Sequence, residues 1–118
     1  MASMAARPSK PRRTKPSAKR LQDLIWEATV DANGDAEQLG GLLDHITDNL
    51  RLPFSTSILG VLASVEGIEQ GEDGSLAALC CAGRYQQLVP LFYLEDPRPL
   101  PEGWEWVEAY RHWCRARF

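Results

Sequence analysis

The chain has 118 residues, 44% hydrophobic and 25% charged, which fits one small globular domain and leaves no room for a second. Its formal net charge of −3 hides an asymmetry: Arg7, Lys10, Arg12, Arg13, Lys15, Lys19 and Arg20 are seven of the 13 basic residues, and all 16 acids lie beyond Arg20. Residues 21–118 thus set six cations against 16 acids, a balance of −10, which disfavours nucleic acid, attracts cations and leaves phosphate contacts to the tail alone.

Residues 1–20 are rich in Pro, Lys, Arg, Ser and Ala, with Pro8, Pro11 and Pro16 interrupting any helix. Too little apolar surface is present to offset ordering the backbone, so a disordered basic tail is expected, followed by a single domain over 21–118. From Leu21 the spacing of Leu21, Leu24, Ile25 and Ala28 predicts a helix that stops near Thr29-Val30. Leu39, Leu42, Leu43, Ile46 and Leu50 mark a second amphipathic helix, despite Gly40-Gly41, with Glu37, Asp44 and Asp48 on its solvated face. Pro53 ends it.

The pattern then turns to strand. Ser55–Leu62 and Val65–Glu69 precede a Gly-Glu-Asp-Gly turn at 71–74, and Leu76–Cys81 and Tyr85–Val89 form a hairpin about Ala82-Gly83-Arg84. Pro90 marks the end of pairing, Leu91–Leu94 a short turn, and Asp96–Pro101 an extended linker. Trp106, Val107, Tyr110, Trp113 and Cys114 then recur at helical spacing, a closing helix whose aromatics read as core.

Between the first two helices lies the acidic turn Asp31-Ala32-Asn33-Gly34-Asp35-Ala36-Glu37, with oxygen-bearing side chains at every second position, as in the first half of a calcium loop. A complete helix-loop-helix calcium site would have glycine and glutamate where this chain has Ala36 and Leu42, which excludes an EF-hand. The alternative is that Asp31 or Asp35 simply caps the next helix, accepting from its free N–H groups.

The order of landmarks resembles the CcbP family, small calcium-binding proteins of cyanobacterial type. The matching pieces are Val30-Asp31-Ala32 through Glu37, Leu50-Arg51-Leu52-Pro53-Phe54, Leu88-Val89-Pro90-Leu91-Phe92-Tyr93-Leu94-Glu95, and Glu105 to Trp113. The resemblance covers about Leu21 to Trp113 and none of the tail. It implies an α+β fold, with N-terminal helices and a C-terminal helix packed on a small antiparallel SH3-like barrel sheet. It also implies Ca2+ held by Asp31, Asp35 and Glu37, joined by Glu105 and Glu108. Gly34, Ala36 and Ala109 stand where further acids are expected in that family, so a weakened site is implied.

No run approaches the roughly 18 apolar residues of a membrane span, and the N-terminus lacks the apolar core of a secretory signal, so a cytoplasmic protein is expected. Cys80, Cys81 and Cys114, odd in number and partly adjacent, spell no disulfide framework and lack the paired C-x-x-C spacing of a zinc site. Neither a Gly-x-Ser-x-Gly elbow nor a phosphate-cradling glycine loop is present, and no enzyme is expected. The expected function is calcium binding, as buffer or sensor. The alternative is a non-enzymatic module, without a metal site, that engages an unidentified protein partner, with nucleic acid reachable only through the tail.

Overall fold

The computed structural model describes residues 15–117, and the expectation for residues 1–14 lies outside them. The first helix, α1 (Ala18–Thr29), begins three residues before Leu21. Ser17 is its N-cap, its hydroxyl accepting the Arg20 N–H at 3.2 Å, so Lys19 and Arg20 lie within the helix. The Pro16-Ser17 pair is the signal, since a serine after a helix-breaking proline satisfies an otherwise orphaned N–H. Leu21 and Leu24 are the buried pair of α1.

Gly34, at φ 87°, starts α2 (Asp35–Asn49), which buries Leu42 and Ile46. The two helices cross closely because Gly41 has no Cβ: one placed there would collide with the backbone carbonyl oxygen of Ala28, whereas a Cβ at Gly40 meets nothing. After Leu52-Pro53 come β1 (Phe54–Ile58), β2 (Val61–Gln70), β3 (Leu76–Ala82) and β4 (Tyr85–Pro90), a 3-10 turn at Leu91–Tyr93, and α3 (Trp104–Arg117).

The molecule is α+β, as its periodicities imply, with one antiparallel sheet in the order β1-β2-β3-β4. That sheet does not close: among the described residues it is an open four-stranded sheet with β1 and β4 at its edges, and the expected SH3-like barrel is not confirmed. Small barrels close through strong strand tilt and stagger over more strands. Here one register shift, between Val65 and Gly67, bends only β2.

The expected strand over Ser55–Leu62 is instead folded at Leu59-Gly60, with Ile58 opposite Val61. Both turn residues have positive φ, 52° and 80°, the geometry that suits strand twist in a two-residue hairpin. Leucine is a poor marker of that conformation, which is why the turn is hidden in the sequence.

One sheet face carries Phe54, Thr56, Val65, Leu76, Ala78 and Cys80 against the helices. The last helix buries the most side chains: Trp106, Val107, Tyr110, Trp113 and Cys114, as their spacing implies, and Trp104 and Ala109 with them. Tyr110 ties helix to sheet, its hydroxyl accepting the Leu76 N–H at 3.1 Å. Cys80 and Cys114 are buried free thiols and Cys81 is half-buried. No helix among the described residues is long and apolar enough to cross a membrane.

The adjacent glycines of α2 should respond with opposite signs. Gly40→Ala should raise the unfolding free energy by about 0.5–1 kcal/mol, because alanine is the better helix former and the space is open. Gly41→Ala should lower it by at least about 1–3 kcal/mol by forcing α1 and α2 apart. Urea denaturation of the two variants checks this, and equal effects would contradict the crossing geometry.

Candidate functional site

The acidic turn exists, and its side chains are held in three different ways. Glu37 reaches back from the first turn of α2, its Oε1 accepting the Asn33 N–H at 2.8 Å and tying the turn to the helix start. Asp35, the first residue of α2, accepts at 3.2 Å from the Nε of Arg117, whose guanidinium lies 4.3 Å from the centre of the Trp113 ring. A carboxylate at a helix N-terminus is favoured by the helix dipole. Asp31 is exposed in the turn after α1.

Asp31 and Glu37 share one open hollow with Glu27 from α1 and Asp44 from α2, floored by Gly40 and Gly41. No lysine or arginine is among its described lining residues. His45 stands at its edge, with Nε2 3.9 Å from Glu27, Nδ1 against the Gly41 carbonyl at 3.0 Å, and the ring 4.6 Å from that of Trp106. Asp44 was legible on the solvated face of the second helix, and Glu27 is the charged residue of the first helix that meets it. What the sequence leaves hidden is that the close crossing at Gly41 turns those helix faces toward each other. The donors are all carboxylates, the right chemistry for a hard cation. Among the described residues, no three of His, Cys, Asp and Glu stand close enough together to hold one ion as placed.

The two acids expected from the last helix stand apart from this hollow. Glu105 is half-buried in the first turn of α3. Glu108 is buried, and its Oε2 accepts the Trp104 Nε1–H at 3.1 Å and an Arg111 N–H at 3.5 Å, with the Lys15 ammonium at 3.3 Å. The structure therefore places Asp31 and Glu37 together, turns Asp35 toward Arg117, and commits Glu108 to a separate charged cluster.

That cluster is the most elaborate polar constellation in the domain. Arg111, 5% exposed, donates to Asp96 at 2.7 Å and to the carbonyls of Leu94 at 2.6 Å and Leu91 at 3.3 Å. Lys15 pairs with the other Asp96 oxygen at 2.6 Å. Burial alone would push the Asp96 carboxyl up, but the hydrogen bonds from Arg111 and Lys15 and their charges together outweigh it and hold it below its usual range. Lys15 is raised, chiefly by its hydrogen bond to Asp96. Burial raises the Cys80 and Cys114 thiols, so neither is an activated nucleophile.

Comparison with family models, with curated proteins and with solved structures finds no match to this chain.

A pH dependence follows from the cluster. Because Asp96 is depressed when folded, its contribution is present above the ordinary aspartate value of 3.8 and is lost as pH falls through its lower folded value. Lys15 has the opposite sign: its contribution is present below 10.5 and lost as pH rises through its higher folded value. Thermal melts should show wild type more stable than Asp96→Asn at pH 6, with the gap closing toward pH 2. A gap that persists at pH 2 would mean the ionised Asp96 is not the stabilising form.

Proposed function

We propose that this protein binds calcium weakly, as a cytoplasmic buffer or sensor, with Asp31 and Glu37 as ligands and Glu27 and Asp44 completing the donor set. One observation carries the reading: four carboxylates from α1, the turn and α2 line a single hollow whose described lining holds no lysine or arginine. Calcium tolerates six to eight oxygens in irregular geometry, so exposed carboxylates that swing inward, with backbone carbonyls and water, suit it better than magnesium, which demands near-octahedral order. Asp35, Glu105 and Glu108 are secondary in this reading, since Asp35 and Glu108 already face guanidinium or ammonium groups. A site that must assemble its ligands is expected to bind at about 10⁻⁵ to 10⁻³ M.

A second reading, a protein-interaction module without a metal site, is favoured by one specific observation. Leu59 is 98% exposed, Leu62 73% and Tyr85 75%, all at the hairpin end of the sheet. Large apolar groups gathered at one end of a domain are a recurrent mark of docking surfaces.

Calorimetry on the full chain separates the two. Calcium should give a saturable heat in the stated range that magnesium does not reproduce, and Asp31→Asn with Asp44→Asn should abolish it while leaving the circular dichroism unchanged. No calcium heat and no calcium-dependent rise in Tm at millimolar ion would end the calcium reading and leave the interaction module.

A further inference from the structure

A second cleft lies between the β2–β3 turn, the end of β4, the 3-10 turn and the last turns of α3. Its walls are Pro90, Phe92, Tyr93 and Tyr110, with Asp73 and Arg115 at its margins. Tyr93 is 77% exposed, a large aromatic ring left outside the core, and stands edge-on to Phe92 with ring centres 5.2 Å apart. Tyr110 is buried, with its hydroxyl engaged by the Leu76 N–H, so it closes the back of the cleft and Phe92 and Tyr93 supply the aromatic faces. Asp73 uses Oδ1 for the Ser75 N–H and hydroxyl, at 3.0 and 2.7 Å, and its Oδ2 makes no hydrogen bond among the described residues. Those bonds from Ser75 hold its carboxyl low, so it is an anion at neutral pH.

Aromatic shelves beside an unmatched carboxylate form the surface on which extended proline-containing basic peptides dock, because proline rings lie flat on aromatic faces and need little further ordering. We propose that this cleft is a docking site for such a segment and that its occupant is Arg7–Arg13 of this same chain. The stretch Arg7-Pro8-Ser9-Lys10-Pro11-Arg12-Arg13 carries four cations and two prolines three residues apart, the repeat of a polyproline turn. Its charge complements Asp73 and the neighbouring Glu72. Arg115 sets the direction: its guanidinium lies 5.6 Å from the centre of the Phe92 ring, so the incoming cations belong at the Asp73 end.

The reach is sufficient. Lys15 is pinned to Asp96 and Glu108 at 2.6 and 3.3 Å. Glu108 and Arg115 lie on one helix, seven residues and hence about 10.5 Å apart. Pro11 is four residues from Lys15 and Pro8 seven, spans of up to about 13 and 23 Å in extended chain. The ion pairs of Lys15 thus deliver the segment to the cleft.

Limited trypsin digestion of the full chain, followed by mass spectrometry, tests this. Cleavage after Arg12 and Arg13 should be about fivefold faster in Tyr93→Ala than in wild type, the loss expected for one aromatic contact with a basic segment. Asp73→Asn and added salt should act in the same direction, and Tm should be unchanged for Tyr93→Ala, whose side chain is outside the core. Equal cleavage rates in wild type and Tyr93→Ala would overturn the proposal. So would wild-type protection that rises with protein concentration, since that would place the segment of one copy in the cleft of another.

Discussion

Arg111 is the constraint on which the rest of the domain depends. A guanidinium this deep in a protein, if left unpaired, costs several kcal/mol, so every donor must find an acceptor. It finds them in the carbonyls of Leu91 and Leu94, in Asp96 and in Glu108, and its flat face lies 5.2 Å from the centre of the Trp104 ring. The four acceptors belong to the 3-10 turn, the linker and the helix itself. One side chain therefore fixes how the chain leaves the sheet and at what angle it returns as α3.

Once α3 is fixed, the other elements have a surface to pack on. Its indole and phenol rings are the largest groups in the core, and α1, α2 and the sheet each bury an apolar side against them. Two backbone contacts complete the assembly where side chains would be in the way. Gly103, at φ 88°, lets the start of α3 approach the carbonyl of Asn49, and Gly41 does the same for the crossing of α1 with α2. Arg51 donates its N–H to the Glu102 carbonyl at 2.8 Å beside the first of these. Lys15 closes the charged cluster from outside, so the first described residue is tied to both the linker and the last helix.

The helices were legible because each carries a regular apolar stripe: Leu21 and Leu24, Leu42 and Ile46, Trp106 with Tyr110 and Trp113. The hairpin at Gly83-Arg84 was legible from its glycine. The turn at Leu59-Gly60 was not, since a leucine at positive φ carries no sequence mark. Arg111 was hidden for a different reason. It occupies a buried position of its helix, and neither propensity nor periodicity tells a buried arginine from an exposed one until its acceptors, 15 to 20 residues upstream, are in place. The same long-range dependence separates Glu108 from the acids of the turn, although both are simply acidic in the sequence.

The open sheet has a consequence for how copies of the molecule meet. Its two edges are different strands running in opposite directions, so β4 of one molecule could extend the ladder on β1 of the next without completing a ring. Such contact is head-to-tail and unbounded, giving filaments instead of dimers. What restrains it is written into the edges themselves: β1 and β4 span only five and six residues, β1 is rich in serine and threonine, and Pro90 removes a donor from β4. The polarity of two short strands thus works against edge-to-edge association of copies.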